Sequence, residues 1–365
     1  MINMSVGEPD FNTPDHIKEA GKKAIDDNFS KYSPVPGYMD LREAIVDKLK
    51  KENHLDYTTG EVIVGTGGKQ GVCNTILALV NPGDEVIIPA PYWVSYPQMA
   101  KLAGATPVVV RAGFEQEFKM TAEQLEAAIT PKTKMLILCS PSNPTGSVYS
   151  QEELNALAEV ILKHEDIFVL SDEIYEHINY VGKAASIASY PGMKERTIIC
   201  NGVSKAYAMT GWRLGWVAAP AWIVKGINKL QGQYTSGTCD VSQKAAVAAY
   251  VASQDCVEQM RVAFERRRDL IVKLAKDIPG LEVNVPQGAF YLFPKCSSFF
   301  GKSDGETVIN NSTDFAMYIL EKAHVATVGG DAFGDPDCFR MSYATSDDNI
   351  REAMRRIKEV LAVLK

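Results

Sequence analysis

One lysine stands in a segment of small and aromatic residues, and it is the first candidate for chemistry in this chain. The segment is S-K-A-Y-A-M-T-G-W-R-L-G-W at 204–216, with Lys205 near its start and Arg213 eight positions later. A lysine amine reacts only after it has lost its proton. A mostly apolar pocket with a second cation nearby lowers the pKa of such an amine by desolvation and repulsion. The segment therefore predicts a catalytic amine at Lys205.

Two polar clusters upstream each follow an apolar run. S-P-S-N-P-T-G at 140–146 contains Asn143, and S-D-E-I-Y at 171–175 contains Asp172. A carboxylate at the position of Asp172 could bond a protonated ring nitrogen, although a helix N-cap is the common alternative. Asn143 could equally belong to a simple turn. Taken with Lys205 and Arg213, these residues form the set that holds pyridoxal phosphate as a Schiff base.

A glycine cluster at 65–68 offers a place for an anion. It lies between a short strand and a helix that starts near Lys69, but the spacing matches neither G-x-x-x-x-G-K-[S/T] nor G-x-G-x-x-G. A strand–glycine–helix junction still directs backbone N–H groups and a helix dipole at an anion. His177 has no carboxylate or metal-like neighbour at ligand spacing, so we interpret it as a packing or surface residue and expect no metal site.

The elements that position these residues are apolar strands alternating with amphipathic helices. Runs of Val, Ile and Leu, separated by helical patterns such as 69–79 and 151–164, favour a largely parallel sheet covered on both faces. Active sites in such α/β sheets lie at the carboxyl ends of the strands. The predicted strands are 61–65, 85–89, 108–111, 135–140, 168–171, 197–201 and 214–219.

The pattern changes in the last third of the chain. Residues 243–278 read as one long, charged helical region that could bridge two domains. Shorter strands at 282–285, 289–293 and 339–342 follow, together with helices at 312–323 and 347–364. This combination predicts a smaller α+β unit.

Composition limits the possible partners. The chain of 365 residues has a formal net charge of −7, which argues against nucleic acid or an anionic membrane as a partner. Its seven cysteines are scattered, form no C-x-x-C pair and lie mostly beside apolar residues, a pattern typical of reduced core thiols in a cytosolic protein. The first residues resemble no secretion signal, and no apolar run approaches the ~18 residues of a membrane span. We therefore expect a cytoplasmic protein.

Together, these features resemble the class I, fold-type I aminotransferases of the aspartate aminotransferase group. The motifs occur in the family's order along the whole chain. They are V-G-E-P-D-F at 6–11, Y-S-P-V-P-G at 32–37, P-Y-W at 91–93, N-P-T-G at 143–146, D-E-I-Y at 172–175, S-K-A-Y-A-M-T-G-W-R-L-G at 204–215 and F-R-M-S-Y-A at 339–344. The resemblance implies a large domain at 30–270 with a mostly parallel seven-stranded sheet, and a small α+β domain at 1–29 and 271–365.

The resemblance also implies roles for individual residues around pyridoxal 5′-phosphate. Lys205 would form the Schiff base and move the substrate proton, and Asp172 would bond the pyridine nitrogen. Asn143 and Tyr175 would contact the 3-oxygen of the ring, while Trp93 would stack on the ring. The implied contacts of the phosphate and its surroundings are Gly68, Lys69, Ser204, Arg213 and, from the neighbouring subunit of a homodimer, Tyr32.

For the substrate, the resemblance implies two cationic contacts. Arg340 would bind the α-carboxylate in a bidentate fork, with Gly7, Asn143 and Trp93 beside it. Lys69 would bind the distal carboxylate of a dicarboxylic substrate, since 230–242 contains no Arg or Lys that could do so from a neighbouring subunit. The site departs from many relatives at Gly202, where they have a hydroxyl, and at T-S-G-T-C-D at 235–240.

The implied reaction is a ping-pong transfer of the amino group of aspartate or glutamate to a 2-oxo acid such as 2-oxoglutarate or oxaloacetate. A broader aromatic, prephenate or alanine-type aminotransferase is an alternative. A lyase on the same fold would share Lys205, Asp172 and Arg340. A regulator with an aminotransferase-like domain is a further alternative, but it would carry a DNA-binding domain, for which the chain has neither spare length nor a basic segment.

Overall fold

The computed structural model describes residues 1–365, which form twelve strands and eleven α-helices. The strands are β1 (Ile2–Asn3), β2 (Val62–Gly65), β3 (Glu85–Ala90), β4 (Thr106–Arg111), β5 (Thr133–Cys139), β6 (Phe168–Asp172), β7 (Thr197–Gly202), β8 (Gly215–Ala218), β9 (Tyr291–Leu292), β10 (Val325–Ala326), β11 (Val328–Gly329) and β12 (Phe339–Ser342). The helices are α1 (Asp15–Asp26), α2 (Met39–Glu52), α3 (Gly68–Leu79), α4 (Ser95–Leu102), α5 (Ala122–Ala128), α6 (Gln151–Leu162), α7 (Ala221–Tyr234), α8 (Asp240–Val251), α9 (Asp255–Lys276), α10 (Ser312–Tyr318) and α11 (Asp347–Leu361).

A seven-stranded sheet is the centre of the fold, with the order β2-β8-β7-β6-β5-β3-β4. β8 runs antiparallel to both of its neighbours, and every other neighbouring pair is parallel. Adjacent residues of β2 face opposite sides, because Val62 and Val64 pack toward α2 and α8 whereas Ile63 packs toward α3 and α7. Burial on both faces explains the continuous apolar runs, and the predicted mostly parallel α/β sheet is confirmed.

The prediction of one continuous helix over residues 243–278 is wrong, because the structure has two helices there. Helix α8 ends at Val251 and α9 begins at Asp255. Ala252 adopts an extended conformation, and the Gln254 amide donates to the carbonyl oxygens of Ala249 and Ala252 at 3.0 and 2.9 Å. These side-chain hydrogen bonds occupy carbonyl groups at the end of α8, which stabilises the interruption.

A predicted strand at 282–285 is also absent. Only Glu282 forms a bridge, to Lys295, while the Asn284 amide donates to the carbonyl oxygen of Phe114 at 3.0 Å. The segment therefore turns toward the loop after β4 instead of extending a sheet. Similarly, the helix predicted at 312–323 is α-helical only to Tyr318 and continues as a π-helical turn at Ile319–Ala323.

The last third of the chain has its own hydrophobic core. Thirty-one buried residues form it, most of them from α9 onward, and Met4 joins them from the start of the chain. Strand β1 pairs in parallel with β10, which brings the first residues to this core. Ile17 of α1, in contrast, packs with the sheet residues around Val62 and Val64. The domain boundaries at 29/30 and 270/271 stay a prediction.

Two interpretations of single residues need correction. His177 is not isolated from carboxylates, because its Nε2 lies 2.9 Å from Oε2 of Glu52, a residue distant in sequence. All seven cysteines are free, but Cys239 is exposed rather than in a core. None of the helices is both long and apolar enough to cross a membrane.

A buried ion pair ties α2 to the turn after β6. Lys48 and Glu176 are 4% and 8% exposed, and their side chains are in contact. The Glu176 carboxylate also accepts hydrogen bonds from the amides of Asn53 and Asn201 at 2.9 and 2.6 Å. Burial alone would raise the pKa of Glu176, but the Lys48 charge, the neighbouring His177 and the Asn53 hydrogen bond outweigh it and lower the pKa to about 2.

We predict that Lys48→Met lowers the free energy of unfolding by about 3–5 kcal/mol at pH 7, because it leaves the Glu176 carboxylate buried without its cation. The paired Glu176, with a pKa of about 2 against an ordinary 4.5, stabilises the wild type above pH 4.5 and loses this contribution as the pH falls toward 2. The difference between the two proteins should therefore narrow in acid. Urea unfolding followed by circular dichroism at pH 4 and 7 measures both effects.

Lys50→Met is the matched control, since Lys50 lies on the same helix with its side chain 71% exposed. It should leave the urea midpoint unchanged. An equal loss for Lys48→Met at pH 4 and pH 7 would show that packing, not charge, is responsible.

Candidate active site

The predicted site residues converge on one cavity of about 480 Å³ at an edge of the seven-stranded sheet. The carboxyl ends of β2, β3, β5, β6 and β7 meet there, together with the start of β8. The predicted residues that line it are Gly7, Gly68, Lys69, Trp93, Asn143, Asp172, Tyr175, Ser204, Lys205, Arg213 and Arg340. Tyr32 does not reach the cavity within one chain and is fully exposed.

Lys205 lies in the turn after β7 and extends into the cavity. Its Nζ donates to the carbonyl oxygen of Gly7 at 2.5 Å and lies 5.6 Å from the centre of the Tyr175 ring. The hydrogen-bond partner is the neutral carbonyl of Gly7. It can accept a hydrogen bond from the Lys205 amine whether or not the amine is protonated. This arrangement keeps the amine oriented in both protonation states.

The environment lowers the pKa of Lys205 to about 8. Burial is the largest cause, and the guanidinium charges of Arg340 and Arg213 act in the same direction. The carboxylates of Glu8 and Asp172 oppose them. An appreciable fraction of the amine is therefore neutral near physiological pH, as nucleophilic or base catalysis requires.

Asp172 is the last residue of β6 and is buried. Its Oδ2 accepts a hydrogen bond from the Tyr96 hydroxyl at 2.6 Å, and its Oδ1 accepts one from the backbone N–H of Ile174 at 3.3 Å. Burial raises the pKa of Asp172, while the Tyr96 hydrogen bond opposes this rise. No helix begins after Asp172, so the alternative of a helix N-cap is wrong.

Arg340, on β12, is fixed on several sides. Its Nη1 donates to Oδ1 of Asn143 at 2.9 Å and its Nη2 donates to the carbonyl oxygen of Ser5 at 2.6 Å. The guanidinium lies between the rings of Tyr291 and Phe333, 4.7 and 4.8 Å from their centres. Its Nε is buried and has no hydrogen-bond partner. The group is an oriented cation with a donor still unused, which suits an anionic ligand.

Two tyrosines close the cavity beside Lys205. The hydroxyl groups of Tyr175 and Tyr291 lie 2.8 Å apart, and both side chains are buried. A Cβ atom at Gly7 would lie 2.4 Å from the Tyr291 hydroxyl oxygen, so only glycine allows this approach of the chain. Burial raises the pKa of the Tyr175 phenol, which keeps it protonated and able to donate.

The start of α3 forms a cradle for an anion. Gly67 has a φ of +81°, and a Cβ atom there would lie 2.3 Å from Nη2 of Arg213. A Cβ at Gly215 would come equally close to the backbone nitrogen of Gly68, the first residue of α3. Ser204 also lines the cavity. Glycines thus bring a helix N-terminus, a guanidinium and a hydroxyl to one place.

Lys69 and Trp93 form a pair at the cavity wall. The Lys69 Nζ lies 4.8 Å from the centre of the Trp93 ring, which stabilises a cation at this position. Trp93 in turn packs edge-on against Tyr96, with ring centres 5.3 Å apart. The contact between Lys69 and Trp93 holds the ammonium beside the cavity, and because the indole is uncharged the positive charge is not neutralised.

Three aromatic site residues were missed by sequence reasoning. Tyr96 had a signal, because it lies three positions after Trp93 in P-Y-W-V-S-Y, a spacing that brings both toward one side at the start of α4. Tyr291 and Phe333 had none, since each lies among apolar residues that read as core. These two aromatic residues can be recognised as site residues only when the structure shows the Arg340 guanidinium against their rings.

Comparison with known proteins agrees with this geometry. The family of class I and II aminotransferases matches residues 1–357. The chain belongs to this family. The resemblance drawn from its motifs is confirmed, and the protein is an aminotransferase that uses pyridoxal 5′-phosphate.

Among similar proteins, a bifunctional aspartate aminotransferase and glutamate/aspartate-prephenate aminotransferase of Petunia hybrida is 49% identical over 370 residues, covering 100% of this chain and 77% of the relative. An aspartate/prephenate aminotransferase of Cereibacter sphaeroides is 49% identical over 367 residues, covering 100% and 92%. The crystal structure of the aspartate aminotransferase from Rhizobium meliloti has a TM-score of 0.97 at 44% identity and covers 100% and 92% of the two chains. An aromatic aminotransferase from Pyrococcus horikoshii has a TM-score of 0.93 at 41% identity, covering 99% and 95%.

The residues of the aminotransferase fit its cofactor. The cavity offers an amine with a lowered pKa at Lys205, a buried carboxylate at Asp172, and an anion cradle at Arg213 that a Cβ on Gly67 would fill. These are the groups that an aldehyde, a pyridine nitrogen and a phosphate require.

We predict that, in the cofactor-free aminotransferase, the Lys205 amine titrates with a midpoint near pH 8, whereas exposed lysines titrate near 10.4. Modification by a small amine reagent, quantified by mass spectrometry of the Lys205 peptide across pH 6–11, measures the midpoint. Arg340→Met should shift it upward, since a neighbouring cation is removed. A Lys205 that titrated together with the exposed lysines would contradict the desolvation argument.

Proposed function

We propose that the enzyme transfers the amino group of aspartate or glutamate to a 2-oxo acid in two half-reactions. The observation that carries this proposal is the pair of separate cations in the cavity, Arg340 and Lys69, which suits a substrate with two carboxylates. The names of its relatives, aspartate aminotransferase and aspartate/prephenate aminotransferase, support the same substrate class.

Four residues are proposed to hold the pyridine nitrogen and the phosphate of the cofactor. Pyridoxal phosphate supplies an electron sink for the electron pair of the substrate Cα–H bond. Asp172 would pair with the pyridine nitrogen, which its burial and the Tyr96 hydroxyl support. Arg213, Ser204 and the first N–H groups of α3 at Gly68 would bind the phosphate.

Three further residues would fix the plane of the ring. Trp93 would cover one face, and its contact with Tyr96 fixes the orientation of the indole. Asn143 and Tyr175 would contact the 3-oxygen from the edge. Asn143 already accepts a hydrogen bond from Arg340 through Oδ1, so its Nδ2 remains as the donor for that oxygen.

Arg340 is proposed to bind the α-carboxylate of the substrate. Its guanidinium is held between Tyr291 and Phe333, and the buried Nε supplies an unused donor. A bidentate contact of this kind orients the substrate as well as binding it. Gly7 lies beside the same part of the cavity, where no larger residue fits.

Lys205 is proposed to move the substrate proton. In its neutral form the Nζ can remove the proton from Cα, and in the second half-reaction it can return a proton to the same atom. Gly7 holds the amine through its carbonyl oxygen, so the side chain stays near the reacting carbon. The lowered pKa lets Lys205 act as a base near neutral pH.

Lys69 is proposed to select dicarboxylic substrates. Its ammonium lies at the cavity wall above Trp93, and residues 230–242 contain no Arg or Lys that could serve instead. A charge-assisted hydrogen bond contributes roughly 1.5–3 kcal/mol. That is enough to separate acidic from neutral amino donors.

Amino transfer to prephenate is a second candidate. Apolar residues Val94, Val328 and Phe333 line part of the cavity and could contact a ring. Two relatives at 49% identity carry prephenate in their names. Including prephenate among the acceptors tested decides this point.

A homodimer with shared sites is also part of the proposal. Tyr32 is fully exposed and borders an open surface depression with Cys239 and Asp240, so it is available to a second copy. Two-fold dimers are the commonest oligomers. In such a dimer Tyr32 would contact the phosphate bound by the partner.

We predict that Lys69→Ala lowers kcat/KM for aspartate and glutamate about ten- to a hundredfold, with little change for alanine and phenylalanine. The half-reaction, followed by the absorbance change of the cofactor with each donor, gives these constants. Lys205→Ala serves as the inactive reference, and Lys101→Ala, on the exposed surface of α4, as the control substitution. An equal fall for all four donors would make Lys69 a cofactor contact instead.

For the dimer, we predict that mixing Tyr32→Phe with Lys205→Ala restores activity at limiting cofactor. Each heterodimer then contains one site with both native residues, because Tyr32 would come from the chain opposite Lys205. The matched control mixes wild type with the double variant Tyr32→Phe/Lys205→Ala, which creates no such site in the heterodimer. A strictly monomeric active species in sedimentation would contradict the shared site.

A further inference from the structure

The loop that carries Phe333 is attached to the edge of the large sheet. This loop, Gly330–Cys338, connects β11 to β12 and is called the Phe333 loop below. The backbone N–H of Tyr92, just after β3, donates to the carbonyl oxygen of Phe333 at 2.9 Å. Gly334 has a φ of +79°, and a Cβ there would lie 2.6 Å from the Tyr92 ring, so the two segments are in close contact.

An ion pair makes a second attachment. Arg111 is the last residue of the edge strand β4, and its Nη2 lies 2.8 Å from Oδ1 of Asp335 and 2.5 Å from Oδ2 of Asp337. The Asp335 side chain is only 2% exposed, whereas that of Arg111 is 51% exposed. Burial raises the pKa of Asp335 and the Arg111 charge opposes this rise. The buried carboxylate thus depends on a cation from the other side of the contact.

We propose that Arg111 is a positioning residue for substrate binding. Through Asp335 it holds the Phe333 loop, and Phe333 forms one of the two aromatic faces that fix the guanidinium of Arg340. The inference rests on the proposed role of Arg340 in binding the α-carboxylate. Arg111, at the end of β4, should therefore affect the binding of every amino donor, because all donors have an α-carboxylate.

The fold around Phe333 does not rest on Arg111 alone. Phe333 also packs in a small apolar cluster with Phe118, Phe293 and Cys338, all of which are buried. The ring of Phe293 meets that of Phe333 edge-on, with centres 5.9 Å apart. Loss of the ion pair removes one attachment of the loop but leaves this cluster and the Tyr92 hydrogen bond, so the loop should be held less firmly without unfolding. The effect on substrate binding can therefore be measured in a protein that is still folded.

The test is steady-state kinetics of the holoenzyme with Arg111→Gln. KM should rise about fivefold for aspartate and, to the same extent, for alanine, while kcat stays within twofold. The urea midpoint should also fall, because Asp335 stays buried without its cation, but the enzyme should remain folded under assay conditions. Arg111→Lys should recover part of the loss. Asp335→Asn should also raise KM, and the double variant Arg111→Gln/Asp335→Asn should be no worse than the poorer single variant, because both changes remove the same contact.

Two references separate the possible failures. Arg355→Gln removes an arginine whose side chain is similarly 54% exposed and paired, but lies on α11, and it should change no kinetic constant. Arg340→Met should raise KM for all donors; if it does not, the proposed α-carboxylate site is wrong. If Arg340→Met raises KM but Arg111→Gln leaves it unchanged, or lowers only kcat or the urea midpoint, the role of Arg111 alone is overturned.

Discussion

The charge around Lys205 is the constraint on which the site depends. The same guanidinium groups that attract anions, Arg340 and Arg213, also repel the Lys205 ammonium and help burial to lower its pKa to about 8. Asp172 and Glu8 act in the opposite direction. The site therefore cannot gain affinity for anions by adding cations without changing the basicity of its amine. The number and the positions of the charged side chains around Lys205 therefore determine anion binding and the pKa of the amine together.

The mostly parallel sheet fixes the positions of these charged side chains. Strands that share a direction bring their carboxyl ends to one edge, so Asp172 at the end of β6 and Lys205 after β7 lie close together. Strand β8 runs in the opposite direction and starts at the same edge, which places Arg213 beside α3. Residues far apart in sequence are thus held by rigid elements rather than by long loops.

Much of the site could be predicted because its polar residues follow apolar strands and carry recognisable motifs. Asp172, Asn143 and Lys205 were found in this way. Tyr291 and Phe333 were not, because an aromatic residue in an apolar run is indistinguishable from core until its neighbours in space are known.

The strands of the large sheet were predicted well, with errors only at their ends, whereas the strand predicted at 282–285 is absent. The break between α8 and α9 escaped prediction for a different reason. It depends on the Gln254 side chain and its bonds to two particular carbonyl groups, a contact that has no periodic signal in the sequence. Ser5 and Arg340 present the same difficulty over a longer range, since the contact between them joins positions 335 apart.

That contact has a consequence for synthesis of the chain on the ribosome. The strands and turns that bring Asp172, Lys205 and Arg213 together, and helix α8 that covers one face of their sheet, are complete at Val251, about two thirds of the way along. Ser5 must wait until the end of the chain supplies Arg340. Domains fold as they emerge, from the amino terminus onward. We therefore expect the nascent protein to form the proposed cofactor contacts before the contact between Ser5 and Arg340, so that the order of translation separates cofactor binding from the orientation of an amino acid.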